Sequence, residues 1–191
     1  MADYIYYRSQ LQSSQLERNN VDRLLLQSFR KLAAEKPVGK ITIREITDRA
    51  GVIRPTFYNH FQDKYELLEW IVKTDITNVV RNGIGRRNVR KGVIRVLQNM
   101  IREKEFYMSV SRTTGQNSFQ EILFSAIKKL ILIYERTNNV GTSDSLPWLT
   151  PDRAASCRST ALCFLLMEWI KEGMPLSPEE MADVLLSIAA K

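Results

Sequence analysis

The 191-residue chain has little proline, glycine, cysteine or histidine, and each shortage narrows the structures it can form. Its six prolines and eight glycines fall mostly between segments of helical periodicity. No segment alternates apolar and polar residues convincingly, so the pattern predicts an all-α protein. The longest apolar run, residues 161–167, is too short to span a bilayer, and residues 1–20 lack the apolar core of a secretory signal. We therefore expect a cytoplasmic protein that does not span a membrane.

Two cysteines and one histidine leave few routes to covalent or metal chemistry. Cys157 and Cys163 lie in one predicted helix, where their backbones would be about 9 Å apart, too far for a disulfide between them. We expect both thiols to be reduced and buried. The sequence has no cluster of metal ligands, no glycine-rich phosphate loop and no nucleophile motif. It therefore supports neither an enzyme nor a cofactor.

Basic residues outnumber acidic ones by 28 to 21, which gives a net charge of +7. This balance permits an anionic partner, such as nucleic acid or a membrane surface, without identifying it. Local residues must decide between these partners.

What the chain does contain is a series of amphipathic helical segments. The first covers about residues 20–36, and we expect residues 1–19 to form a flexible extension. The sequence T-I-R-E at Thr42 predicts a capping box, in which Thr42 and Glu45 each bond the backbone amide of the other. The short helix that it opens should end at Gly51.

The next segment, IRPTFYNHFQDKY at residues 53–65, is aromatic and polar. Phe57 and Phe61 fall on one face of a helix and should pack on a core. The sequence D-K-Y-E at Asp63 is a second capping box, which opens a long helix to about Arg81.

Two short helices connected by Gly51 and Val52 are typical of a helix-turn-helix. In that motif the second helix enters the major groove with its N-terminal residues forward, and the first helix crosses the DNA backbone. Arginine can then meet guanine or phosphate, proline can touch a thymine methyl group, and tyrosine, histidine and lysine suit phosphate oxygens. The residues that we expect to contact DNA are Thr42, Arg44, Arg54, Pro55, Thr56, Tyr58, Asn59, His60 and Lys64.

His60, the only histidine, admits three interpretations. A catalytic base would need a carboxylate and a nucleophile near it, and no local pattern supplies them. A core histidine would turn toward Phe57 and Phe61. A phosphate contact is the interpretation that the helix-turn-helix favours.

The segment TIREITDRAGVIRPTFYNHFQDKYELLEWI resembles the N-terminal signature of TetR/AcrR-type regulators, T-x-x-x-I-A-x-x-A-G-V-S-x-x-T-F-Y-x-H-F-x-x-K-x-x-L. The resemblance covers about residues 20–70. Thr47 departs from the pattern by replacing an alanine, and Ile53 by replacing a capping serine, a loss that costs about 1 kcal/mol. The positions at which the resemblance implies operator contacts are Thr42, Thr56, Tyr58, His60 and Lys64.

The resemblance also implies that residues 67–191 form a helical domain that binds an effector and dimerises through its last two long helices. The sequence predicts these helices at about residues 151–173 and 178–190, opened by the N-caps Thr150 and Ser177, each of which precedes a proline. The capping-box pattern N-S-F-Q at Asn117 predicts the start of an earlier helix of this domain. The patterns G-Q-N-S-F at 115–119 and W-I-x-x-G at 169–173 resemble a subgroup that includes activators of dihydroxyacetone kinase operons, from which we assign no ligand.

Aromatic and polar residues of this domain are candidates for lining a ligand cavity, although most aromatic residues at helical spacing belong to a core. The candidates are Phe106, Tyr107, Gln116, Asn117, Phe119 and Tyr134. The basic run at residues 86–95 is either a solvated face or a site for an anionic ligand or an acidic partner. The tyrosine-rich residues 4–8 are either an additional DNA arm or a disordered tail.

We predict a dimeric, all-α transcription regulator with a helix-turn-helix bundle over residues 20–66, joined by a long helix to the ligand-binding and dimerisation domain. It would bind a near-palindromic operator, with an affinity that a small effector controls. Repression is the expected outcome, and an activator on the same fold is an alternative. A DNA-binding architectural or nucleoid-associated factor without an effector is another.

Overall fold

The structure is a computed structural model that describes residues 2–85, 87–115, 117–138 and 148–189, with side chains from residue 19 onward. Within these ranges every regular element is helical, which confirms the all-α prediction. The helices are α1 (Ala2–Glu35), α2 (Ile43–Ala50), α3 (Arg54–His60), α4 (Lys64–Val72), α5 (Asn78–Gly85), α6 (Val89–Arg102), α7 (Lys104–Val110), α8 (Phe119–Asn138), α9 (Pro151–Lys171) and α10 (Pro178–Ala189). A 3₁₀ turn, Val38–Lys40, lies between α1 and α2, and a π-helical turn, Lys73–Thr77, separates α4 from α5. The chain divides into two compact units, Met1–Leu67 and Leu68–Lys191.

Helix α1 begins at Ala2, so the predicted start near residue 20 is wrong. No glycine or proline interrupts the chain before Pro37, so the backbone meets no stop signal. The prediction began where the apolar stripe of Val21, Leu24 and Leu25 begins. Flexibility of residues 1–19 stays a prediction, and the tyrosine side chains at residues 4–7 lie outside the described side chains.

In the first unit, α1, α2 and α3 pack around one small core. Leu25 and Phe29 of α1, Ile46 of α2 and Phe57 of α3 are fully buried there. Thr47, which replaces the alanine of the family pattern, is also buried, and its hydroxyl donates to the Arg44 carbonyl at 2.9 Å. This internal hydrogen bond lets a polar residue occupy a packing position between helices.

The predicted helix from Asp63 to about Arg81 is present as α4, the π turn and α5, and it ends later, at Gly85. The π turn carries Asp75, whose Oδ2 accepts from the Tyr107 hydroxyl at 3.0 Å and from the Asn99 side-chain amide at 3.3 Å. These bonds connect the turn to α6 and α7. A π turn inside a helix is often found at functional sites.

The second unit is built on α8 and α9, with α10 packed on α6 and α9. The predicted caps of its helices hold with one correction. Thr150 caps α9, as predicted, by accepting from the Arg153 amide at 3.3 Å. The cap of α8 is Ser118 rather than Asn117, since the Ser118 hydroxyl accepts from the Glu121 amide and Glu121 in turn accepts from the Asn117 amide at 2.8 Å.

The two cysteines of α9 differ in exposure. Cys163 is buried as predicted, whereas Cys157 is exposed, so the prediction for Cys157 is wrong. A spacing of six residues turns the helix by about 240°, which places the two side chains on different faces. Among the described helices, none combines the length and the apolarity that a bilayer crossing requires.

Candidate DNA-binding surface and C-terminal cavities

The turn between α2 and α3 is set by local chemistry. The Thr42 hydroxyl accepts from the Glu45 amide and Glu45 accepts from the Thr42 amide, which confirms the capping box. Gly51 ends α2 in the left-handed conformation, at φ +70°, which residues with a side chain rarely adopt. Arg54 and Pro55 then open α3, and the fixed φ of proline suits this first turn.

Helix α3 is fixed to the unit by its aromatic residues. Phe57 is fully buried and Phe61 is 4% exposed, with ring centroids 5.9 Å apart, as the sequence predicts. Because these rings take the inner face, the other face of α3 is left to solvent. The exposed residues of that face are Arg54, Pro55, Tyr58 and Asn59, with Thr56 partly exposed.

Arg54 and Tyr58 form a pair on this open face. The Arg54 Nη2 donates to the Tyr58 hydroxyl at 3.1 Å, and the guanidinium lies 5.5 Å from the ring centroid. The pair orders two long side chains before any ligand binds, which lowers the entropic cost of a contact. Thr42 and Arg44 at the start of α2 are exposed as well, and the Arg44 side chain is 85% exposed.

His60 is placed differently from the other predicted contacts. Its Nδ1 lies 2.7 Å from the Asp22 Oδ1 of α1, and the two side chains are only 11% and 13% exposed. The carboxylate orients the ring and makes Nδ1 the donor. Only the imidazolium form could then donate from Nε2 to a phosphate. His60 therefore has a structural partner that the sequence did not indicate, because Asp22 lies on a different helix with no motif around it.

Lys64 is engaged inside the first unit. Its ammonium donates to the carbonyl oxygens of Val38, Gly39 and Ile41 at 2.8, 2.9 and 2.8 Å. An ammonium has three protons, so these bonds use them all. Burial lowers the pKa of this ammonium from its ordinary value. In this structure Lys64 holds the loop before α2, where the sequence predicted a phosphate contact.

Other charges around the motif are also paired. Lys36 forms an ion pair with Glu45, and Arg49 pairs with Glu35 at 2.6 Å. The Lys36 ammonium, with the Thr42 amide and hydroxyl, lowers the pKa of Glu45 from 4.5 to about 2. Lys36 and Arg49 are therefore less available to an anionic partner than the sequence alone suggests.

Three of the six predicted ligand residues lie in the core instead of a cavity. Phe106, Tyr107 and Phe119 are 2%, 0% and 0% exposed, and they stack edge to face with centroids 5.1 and 6.0 Å apart. None of them lines either of two cavities that lie among the described residues of the second unit. The three rings pack against one another, as the aromatic residues of a core do.

The two cavities differ in chemistry. The first, of about 1090 Å³, is lined mostly by polar residues, among them Asn117, Lys73, Thr77 and Thr113. The second, of about 830 Å³, is lined mostly by aliphatic residues of α5, α6, α8, α9 and α10, together with Tyr134. Arg158 is in its wall and forms an ion pair with Glu135, which is buried. Gln116 lies outside the described residues.

In the basic run at residues 86–95, one arginine is engaged in an ion pair. Arg90 bonds both carboxylate oxygens of Asp183 on α10, at 2.8 and 3.1 Å. Arg87 lines the apolar cavity, and Arg86 lies outside the described residues. The described part of the chain has no group of three or more histidine, cysteine or acidic side chains placed to hold a metal ion.

Comparison with known proteins gives the same division of the chain. Residues 25–71 match the description "Bacterial regulatory proteins, tetR family", and residues 87–191 match "Transcriptional regulator C-terminal region". The chain is 22% identical over 160 residues to the HTH-type dhaKLM operon transcriptional activator DhaS of Lactococcus lactis, with 81% of each chain covered.

Solved structures show the same fold. The dihydroxyacetone kinase operon activator DhaS superposes with a TM-score of 0.64 and 18% identity, over 89% of this chain and 94% of that one. NalD, the secondary repressor of the MexAB-OprM multidrug efflux pump in Pseudomonas aeruginosa, superposes with a TM-score of 0.54 and 19% identity, over 90% and 95%. The chain thus belongs to the TetR family of bacterial regulatory proteins and is a DNA-binding transcription regulator rather than an enzyme.

Proposed function

We propose that the protein acts in the cytoplasm as a homodimer on a near-palindromic operator, with one α3 in each of two major grooves. The observation that carries this proposal is the exposed face of α3, where Arg54, Pro55, Tyr58 and Asn59 stand free of the core that Phe57 anchors. Thr42 and Arg44 add backbone contacts at the start of α2. His60 at the end of α3 is a further proposed phosphate contact, and Lys64 positions the loop before α2.

The dimer forms through α9 and α10. Phe164 of α9 is 61% exposed and Val184 of α10 is 37% exposed, although both are large apolar residues. Apolar groups that the subunit leaves in water support a surface that a second copy covers.

A small molecule in the apolar cavity controls DNA affinity. A volume of about 830 Å³ is within the range of drug-sized ligand sites. Arg87 and Arg158 line this cavity, and their positive charge favours a ligand with an apolar body and an acidic group. Tyr134 is a further contact in this site, and Asn117 is a candidate contact for the polar cavity.

Repression is the effect that we propose, because a dimer that occupies its operator blocks polymerase without any further contact. Activation is the second candidate, and the relative named as an operon activator favours it. Transcription from the operator's own promoter, with and without the protein, separates the two.

The test of the proposed function is selection on random duplex DNA. We expect an inverted repeat that still binds when salt rises from roughly 50 to 200 mM. Tyr58→Ala should lose this site, whereas Trp148→Ala, which removes an exposed aromatic residue from the second unit, should retain it. Weak binding to every sequence that collapses with salt would leave only phosphate contacts and contradict the proposal.

A further inference from the structure

Ile53 gives the fold neither a helix cap nor buried apolar surface. It occupies the N-cap position of α3 in an extended conformation, and its side chain caps no amide. Its 69% exposure is the highest among the large hydrophobic side chains described in the first unit, above Tyr58 at 48% and Leu24 at 41%.

Folding alone favours another residue at this position. A serine, threonine, aspartate or asparagine would accept a hydrogen bond from an amide of the first turn and stabilise the helix. Isoleucine cannot do so, and its branched side chain stays in water. A residue that stabilises the fold less than the usual residues at its position is a candidate for a functional role.

The neighbours of Ile53 define what it could touch. Its carbonyl accepts from the Thr56 amide at 2.9 Å, which fixes the backbone at the start of α3. Arg54 and Pro55 follow it and are exposed. In a helix-turn-helix this end of the second helix faces base edges. The apolar group that a base pair presents in the major groove is the C5 methyl of thymine.

We propose that Ile53 contacts a thymine methyl group in each operator half-site and is a specificity-determining residue. The inference rests on the proposed function, since it requires a sequence-specific site. It adds an apolar contact to the polar contacts of α3.

Replacement of single thymines by deoxyuridine in the selected operator tests this inference, because the exchange removes only the methyl group. We expect one thymine per half-site at which deoxyuridine weakens native binding about fourfold, the effect of losing one buried methyl group. Ile53→Ala should bind the thymine operator more weakly and should not distinguish thymine from deoxyuridine there. Ile53→Val, which keeps a branched apolar side chain, should retain most of the discrimination.

Leu24→Ala is the matched control, since it truncates an exposed aliphatic residue of α1 outside the proposed contacts. It should respond to deoxyuridine as the native protein does. An equal loss in the native protein and Ile53→Ala would assign the methyl contact to another residue, such as Pro55, and overturn the inference. The inference would also be overturned if deoxyuridine at every thymine left the affinity of the native protein unchanged. If selection yields no preferred site at all, the proposed function fails and the inference fails with it.

Discussion

Asp22 and His60 are 38 positions apart in the chain, yet their hydrogen bond ties the end of α3 to α1. Asp22→Ala leaves the largely buried imidazole without this acceptor, which should lower the free energy of unfolding by about 1–3 kcal/mol. Urea unfolding followed by circular dichroism measures the change. Asp48→Ala is the control, because its pair with Arg44 at 3.5 Å is largely exposed and should not matter. Equal shifts in the two variants would contradict the structural role of the Asp22–His60 bond.

Lys64 offers a direct test between a structural role and a phosphate contact. Lys64→Met keeps the chain length but removes the ammonium from three carbonyl oxygens, which should destabilise the protein by about 1.5–3 kcal/mol. The dependence of operator affinity on salt should not change, because these protons are not available to DNA. Arg44→Gln, which removes an exposed predicted phosphate contact, should reduce the salt slope by about one. A reduced slope in Lys64→Met would show that the lysine leaves its carbonyls to bind DNA.

At this scale, sequence reasoning could identify residue types but not their partners. Phe57 and Phe61 were predicted to be buried because helical spacing alone places them together. The partners of His60 and Lys64 lie on α1 and in the loop before α2, and neither carries a signal in the local sequence. The aromatic residues Phe106, Tyr107 and Phe119 show the same limit, since spacing cannot tell a core from the wall of a cavity.

Among the helices, α2 has an N-terminal cap whose stabilising effect should be lost in acid. The folded pKa of Glu45 is about 2, below its ordinary 4.5, so the folded state binds fewer protons than the unfolded state between these values. The stabilisation by the Glu45 carboxylate is therefore complete above pH 4.5 and is lost as pH falls toward 2. The amide resonance of Thr42, followed by NMR, should shift with a midpoint near pH 2, where the folded carboxylate takes up its proton. Glu45→Gln should abolish that shift, and an unchanged titration in the variant would contradict the assignment.

Helix boundaries were predictable where a side chain makes the cap. Thr42 and Thr150 were recognised because their hydroxyls bond the first-turn amides. The start of α1 was missed because the prediction relied on the apolar stripe, which begins near residue 21. The cap of α8 was placed one residue early because Asn117 and Ser118 are both good capping residues. The π turn within the long helix has no sequence signature at all.

For the whole molecule, the proposed dimer depends on the exposed apolar groups of α9 and α10. Phe164→Glu places a charge in that surface, so the protein should sediment as a monomer at concentrations where the native protein is a dimer. Operator affinity should fall about a hundredfold or more, because a monomer binds only one half-site. Trp148→Ala, which removes an aromatic residue that is 73% exposed, should change neither property. A Phe164→Glu variant that remains dimeric would exclude this surface.

The apolar cavity gives a second prediction for the whole molecule. Val93 lines it from α6, and Val93→Trp should fill part of the space. Anilinonaphthalene sulfonate, an apolar anion, serves as the probe, and its fluorescence enhancement should be lost in this variant while operator binding persists. Arg95→Trp adds the same ring to an exposed position of α6 and should retain the enhancement. Equal fluorescence enhancement with both variants would show that the dye binds outside this cavity.

The unequal exposure of the two cysteines provides a natural labelling position. Burial raises the pKa of the Cys163 thiol to about 11, so almost none of it is thiolate at neutral pH. Cys157 is exposed on the same helix, α9. A maleimide reagent should therefore attach one spin label or fluorophore per subunit without any engineered cysteine. Because α9 belongs to the proposed dimer surface, the distance between two such labels would follow the separation of the subunits as DNA or effector binds.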